Sequence, residues 1–70
     1  MWSEVILMIR TAIIVRAIRR QMGWTRKDMA RVMGVSVACV GRIERSEQGV
    51  GKDAAESLRA ATGAKLSRIL

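Results

Sequence analysis

The feature that most constrains the fold is a spacing of small and apolar residues in the middle of the chain. Ala30 is followed by Gly34 and Val35, and then by Val40 and Ile43. A small residue lets two helices cross closely, and glycine readily adopts the positive φ of a tight turn. The three apolar residues are spaced to pack a second helix onto the first. The pattern therefore predicts two short helices joined by a tight turn, the helix-turn-helix arrangement, over residues 26–45.

Capping residues and glycines set the expected limits of these helices, and the chain contains no proline. Thr25, with Asp28 three residues later, is the expected N-cap of the first motif helix, in a capping-box-like arrangement. Ser36 is the expected N-cap of the second. Gly23 and Gly34 are expected to end the helices that precede them in a left-handed conformation.

A further helix is expected before the motif. Thr11 is its expected N-cap and Met22 its approximate end. Its apolar residues share one stripe, and three arginines are expected to face solvent, namely Arg16, Arg19 and Arg20. Residues 1–10 are treated as a separate apolar extension, and residues 11–70 as the domain. The extension has three possible roles: it continues the first helix, pairs as a strand with a partner chain, or covers a small core. An interface in self-association is favoured, because the segment has no obvious internal partner.

The chain after the motif predicts one or two more helices. One runs from about Lys52 to Thr62 and buries Ala55, Leu58 and Ala61. Residues 64–70 then form a short fifth helix or a frayed tail. The aliphatic composition, with only two tryptophans as aromatic residues, favours helices packed on helices. The predicted fold is therefore all-α, a compact bundle of about five short helices in a single domain.

Charge and composition restrict the class of function. The net charge is +7, and residues 10–45 carry all of it, with nine basic residues against two acidic ones. Such a concentration is typical of nucleic-acid binders. One cysteine and no histidine argue against metal sites and general-base chemistry, so neither an enzyme nor a cofactor is expected. The apolar runs are too short to span a membrane and no signal peptide is evident, so a cytoplasmic protein is expected.

The ordered residues of the motif resemble a known family. The stretch RKDMARVMGVS at 26–36, followed by Val40, Ile43 and Glu44, is similar to the lambda repressor/Cro (XRE-type) helix-turn-helix family. The stretches VRAIRRQMGWT at 15–25 and LRAATG at 58–63 resemble the first helix of that family and the end of its fourth. The resemblance covers roughly residues 11–66. The family commonly has Gln where this chain has Arg26.

The resemblance implies which residues face DNA. The third helix, at about 36–45, would lie in the major groove, usually in a dimer on a palindromic site. The implied DNA-binding residues lie on this helix and at the start of the preceding one: Thr25, Arg26, Lys27, Ser36, Val37, Ala38, Gly41, Arg42 and Arg45. Thr25, Arg26 and Arg45 would approach phosphates. Arg42 is the one strong candidate for guanine recognition, because Val37, Ala38 and Gly41 have no hydrogen-bonding side chain.

These expectations favour a sequence-specific DNA-binding transcriptional regulator of bacterial or phage type. It would act as a homodimer near its own or adjacent genes, like a small repressor, a Cro-like protein or a restriction-modification controller. The alternative is a helix-turn-helix fold that binds a protein partner, as an antiactivator or antitoxin does. The apolar stretch 37–40 and the apolar N-terminus support this alternative, whereas the charge around the motif favours DNA.

Overall fold

The computed structural model describes residues 2–63, with side chains from Ser3 onward. These residues form helices and connecting turns without a strand. The helices are α1 (Trp2–Met22), α2 (Arg26–Met33), α3 (Val37–Glu44) and α4 (Lys52–Thr62). The all-α prediction is confirmed. The expected fifth helix, at 64–70, lies outside the described residues.

The first helix is longer than expected. α1 has 21 residues and begins at Trp2, so Thr11 lies inside the helix and the prediction that it caps α1 is wrong. No glycine or proline interrupts the chain between Trp2 and Met22, so nothing ends the ladder of hydrogen bonds before Gly23. Of the three possible roles for the N-terminal extension, residues 2–10 take the first and continue the helix. The expected boundary between residues 10 and 11 therefore falls within one continuous element.

The caps of the two motif helices are confirmed. The Thr25 hydroxyl accepts a hydrogen bond from the Asp28 amide at 3.1 Å, and the Asp28 carboxylate accepts one from the Thr25 amide at 3.0 Å. The Ser36 hydroxyl accepts from the Cys39 amide at 3.0 Å, which starts α3. Between the helices, Gly34 has φ 70° and the Val35 amide donates to the Ala30 carbonyl at 3.0 Å. These bonds fix the sharp turn that sets α3 against α2.

The core is formed where α3 packs on α1 and α2, and α2 packs on α4. Its most buried side chains come from α1, α2 and α3: Ile18, Met29, Val40 and Ile43. The inward positions predicted for α3, Val40 and Ile43, are therefore confirmed. Burial of side chains this large supplies most of the favourable free energy of folding in a small domain.

The buried face of α4 differs from the prediction. Leu58 is buried as expected, but its buried neighbours are Ala54 and Thr62, whereas Ala55 is half-buried and Ala61 is exposed. The buried set follows an i, i+4, i+8 spacing. Thr62 fits there because its hydroxyl donates to the Leu58 carbonyl at 2.9 Å, so no polar atom is left unsatisfied.

The N-terminal part of α1 carries apolar side chains that the core does not cover. Val5, Ile6, Leu7, Ile9 and Ile13 are 46–62% exposed, and from Ser3 onward the first buried residue of the helix is Ala12. Within residues 2–63, none of the helices combines the length and the hydropathy needed to cross a membrane.

Candidate nucleic-acid interface

Helix α3 presents one exposed face of mixed chemistry. Val40 and Ile43 point into the core, and this fixes the rotation of the helix about its axis. The same rotation leaves the predicted contact residues Ser36, Val37, Ala38, Arg42 and Arg45 exposed. The first three are small or apolar and the last two are cationic. This face can contact thymine methyl groups near its N-terminal end and guanine or phosphate near its C-terminal end.

Gly41, which was also predicted to face DNA, lies beneath another side chain. It is buried, and a Cβ atom built on it would lie 3.0 Å from the Arg45 Nη1 atom. Positions four residues apart are neighbours on a helix, so the missing side chain leaves a depression that the Arg45 guanidinium fills. In this conformation the position supports Arg45 and is not open to a base.

The side chain of Arg42 is oriented by a hydrogen bond from its Nε atom to Gln48. Its Nε atom donates to the Gln48 Oε1 atom at 3.0 Å, and the Gln48 Nε2 atom donates to the Cys39 sulfur at 3.1 Å. Gln48 comes from the loop after α3, and the sequence analysis did not identify it. Because the contact uses Nε, both terminal nitrogens of Arg42 remain available for the two-point contact that guanine offers.

The start of α2 forms a second part of the surface. Thr25, Arg26 and Lys27 are exposed there. The amides at the first positions of a helix have no partner within the helix and favour an anion such as phosphate. Beside them, hydrogen bonds from the backbone and side chain of Thr25 hold the pKa of Asp28 below its usual value, so Asp28 remains an anion. The Asp28 carboxylate is part of the cap, whereas the side chains of Arg26 and Lys27 are cationic and exposed.

Arg45, the predicted phosphate contact after α3, has a carboxylate partner. Its Nε atom lies 2.6 Å from the Glu47 Oε2 atom, and the hydrogen bond from Arg45 lowers the pKa of Glu47. Both side chains are more than half exposed. A phosphate approaching Arg45 would therefore compete with an exposed ion pair, which is a weak interaction in water.

Helix α3 ends in a buried carboxylate surrounded by arginines. The Glu44 side chain is 1% exposed, and its oxygens lie 2.8 Å from the Arg19 Nε atom, 3.6 Å from that of Arg26 and 3.8 Å from that of Arg16. Arg19 makes two hydrogen bonds to the carboxylate, of 2.8 and 3.2 Å. The prediction that Arg19 faces solvent is wrong, because the buried anion holds its side chain against the protein, whereas Arg16 is exposed as predicted although it also contacts Glu44. We call these four residues the Glu44 cluster.

The position of Glu44 relative to the apolar residues of α3 indicates that its side chain is buried. Glu44 lies four residues after Val40 and directly after Ile43, so helical periodicity places it on the buried face. A buried carboxylate requires cationic partners. The sequence alone, however, did not indicate which of the many arginines supply them.

The comparisons with known proteins agree with this geometry. A family model described as helix-turn-helix, for the XRE/Cro/C1-type family HTH_3, matches residues 15–69. The match covers most of the chain and includes all of α2, α3 and α4. No curated protein and no solved structure shows a significant match. The matched family typically has no catalytic activity.

Proposed function

Because the chain belongs to the XRE/Cro/C1-type helix-turn-helix family, we propose that it is a sequence-specific DNA-binding transcriptional regulator whose α3 enters the major groove. The observation that carries this proposal is the exposed face of α3, with Arg42 held by Gln48 at its centre. Arg42 reads guanine, and Val37 and Ala38 contact thymine methyl groups. Arg26 and Lys27 at the start of α2 bind phosphates on one side of the groove.

The regulator acts as a homodimer on a palindromic operator, near its own or adjacent genes. Two-fold symmetry would place two copies of α3 in successive major grooves on one side of the duplex. The apolar side chains on the N-terminal part of α1 support this arrangement, because large apolar residues that a single copy leaves exposed are typical of interfaces. Binding of such a dimer at a promoter would repress transcription by blocking access to it.

The proposal is tested by gel retardation with two duplexes, one from the region upstream of the gene and one of random sequence. We expect binding to both at low salt, with a preference for the upstream duplex and a steep loss as salt rises, because phosphate neutralisation releases counterions. Arg42→Ala should reduce affinity for the preferred duplex by about 1–3 kcal/mol and change affinity for random DNA much less. An equal loss on both duplexes would refute the base-reading role of Arg42.

A second candidate function is protein binding, with the same fold acting as an antiactivator or an antitoxin. Val37 favours it, since this apolar side chain is 49% exposed at the start of α3 beside the small Ala38. An apolar patch of this kind fits a protein partner as well as a thymine methyl group. The absence of any retarded duplex at low salt would favour this function over DNA binding.

A further inference from the structure

The Glu44 cluster has an excess of positive charge. One carboxylate faces three guanidinium groups from α1 and α2, so the cluster carries a net charge of +2. A single carboxylate offers few positions at which guanidinium groups can form well-aligned hydrogen bonds. The three arginines therefore differ in how far their hydrogen-bonding capacity is used.

Arg19 is the most strongly engaged of the three within the protein. Its Nε and Nη2 atoms donate to the Glu44 carboxylate, and its Nη1 atom donates to the Trp24 carbonyl at 3.3 Å. All three of its nitrogens thus have protein acceptors, and its side chain is 18% exposed. Arg19 neutralises the buried carboxylate and, with three of its five N–H donors used and little of its side chain exposed, is poorly placed to bind a ligand.

Arg16 and Arg26 are only partly engaged. The Arg16 Nη2 atom donates to the backbone carbonyl of Glu44 at 3.0 Å, and the Arg26 Nε atom lies 3.6 Å from the carboxylate, beyond a good hydrogen bond. Their side chains are 44% and 55% exposed. Within residues 2–63, the remaining nitrogens of both groups have no protein acceptor. Because both Nε atoms lie within 4 Å of the same Glu44 oxygen, the two guanidinium groups are close neighbours.

We propose that Arg16 and Arg26, held by Glu44, form a binding site for one backbone phosphate of DNA. The phosphate supplies the negative charge that the cluster lacks and accepts hydrogen bonds from the unused guanidinium nitrogens. This inference rests on the proposed DNA binding and adds to it a contact from α1, outside the helix-turn-helix. The position fits, since Arg26 begins α2, and Arg16 binds the last residue of α3, whose exposed face is the proposed DNA surface.

The position of Glu44 explains how the site is kept in register with α3. Its carboxylate is buried and its backbone carbonyl ends the helix, so an arginine bound to both moves with α3. The phosphate site and the base-reading residues therefore keep a fixed separation. A fixed separation of this kind selects one register of α3 in the groove, because phosphate contacts orient a protein on the duplex.

The test is the salt dependence of DNA binding for Arg16→Gln against the matched control Arg20→Gln. Arg20 lies one turn further along α1, is exposed, and has no hydrogen bond or ion pair among the described residues, so both variants lose one charge from the same helix. We expect Arg16→Gln to weaken binding about tenfold at moderate salt and to reduce the slope of log K against log[salt] by about 1. Arg20→Gln should leave the slope unchanged. The Arg16→Gln loss should be equal on upstream and random duplexes, since a phosphate carries no sequence information.

A purely structural role for Arg16 predicts a different result. Arg16→Gln would then lower the thermal midpoint, while the folded variant would bind DNA with the slope of the wild type. Circular dichroism establishes that each variant is folded at the temperature of the binding assay. Arg26→Gln and the double variant Arg16→Gln/Arg26→Gln complete a double-mutant cycle. Because the two residues share one phosphate, the loss of binding free energy in the double variant should be smaller than the sum of the two single losses.

The results of these experiments distinguish failure of the phosphate site from failure of the proposed DNA binding. DNA binding by the wild type with equal slopes for Arg16→Gln and Arg20→Gln would overturn the phosphate site and leave the proposed function standing. Additive losses in the cycle would overturn the sharing of one phosphate. If the wild-type protein retards no duplex at low salt in the gel, both the phosphate site and the proposed function are overturned.

Discussion

At the scale of single residues, Glu44 connects α3 to α1 and α2 through contacts that the sequence alone did not predict. Its carboxylate is bound by arginines from α1 and α2, and its backbone carbonyl by Arg16. An acidic residue at the last position of a helix is unfavourable next to the negative end of the helix dipole. The surrounding arginines offset both this effect and the desolvation of the buried carboxylate, so the packing of α3 depends on them.

We therefore expect Glu44→Gln to destabilise the fold by about 3 kcal/mol, because it leaves the largely buried guanidinium of Arg19 without its anion. The free energy of unfolding is measured by urea denaturation. Glu47→Gln is the matched control, since Glu47 also pairs with an arginine but is 51% exposed, and we expect no measurable change from it. Similar losses for the two variants would contradict the importance given to burial.

At the scale of elements, three helices end in the same arrangement of backbone hydrogen bonds. After α1, α2 and α3, the residue at positive φ is Gly23, Gly34 and Ser46 respectively. In each case the next amide donates to the carbonyl five residues earlier, as from Val35 to Ala30 and from Glu47 to Arg42. Glycine takes this conformation without steric cost, whereas serine takes it at a cost. The chain thus ends α3 with some strain beside the residues of the proposed interface.

Substitutions at these turns should change stability in opposite directions. Gly34→Ala should lower the free energy of unfolding by about 1 kcal/mol, because its φ of 70° is unfavourable for a residue with a Cβ atom. Ser46→Gly should raise it, by up to about 1 kcal/mol. Gly49→Ala is the control, since Gly49 has no positive φ and no heavy atom lies near its Cβ position. Thermal and urea denaturation measure all three, and a stabilising Gly34→Ala would contradict the strain argument.

At the scale of the whole molecule, the exposed apolar side chains of α1 determine how two copies are expected to meet. Ile6, Ile9 and Ile13 lie at i, i+3 and i+7 and so share one face of the helix. Burying the exposed half of each contributes about 1 kcal/mol, or roughly 6 kcal/mol for two copies. This is near the low end of the free energy lost on association, about 4–15 kcal/mol. We therefore expect a weak dimer in solution that the operator strengthens by binding both copies.

Ile9→Gln should shift the protein towards the monomer, because Ile9 lies at the centre of this face. Sedimentation equilibrium over a range of protein concentrations measures the shift. Leu7→Gln is the matched control, since Leu7 is 58% exposed and equally apolar but lies on another face of α1. Loss of self-association in both variants would indicate a nonspecific apolar contact, and loss in neither would place the dimer interface elsewhere.

Short-range sequence patterns determined the helix caps, the turn and the buried positions of the motif. The caps at Thr25 and Ser36, the left-handed Gly34 and the inward Val40 and Ile43 all follow from short-range spacing, because helix starts, turns and faces depend on residues within one or two turns. The family match over residues 15–69 agrees with that reading. The start of α1 was the main local error, since Thr11 has the character of a helix cap but lies inside a helix that begins at Trp2.

Only the tertiary structure decided which charges meet. Arg16, Arg19 and Arg20 lie within five residues of one another on α1, yet Arg19 makes two hydrogen bonds to the Glu44 carboxylate, Arg16 makes one to the Glu44 carbonyl, and Arg20 makes none among the described residues. Arg19 and Glu44 are separated by 25 residues along the chain, so their contact depends on how α1 packs against α3. The hydrogen bond from Arg42 to Gln48 depends in the same way on the path of the loop after α3. Helix formation is local, whereas the pairing of charged side chains depends on the packing of helices distant in sequence.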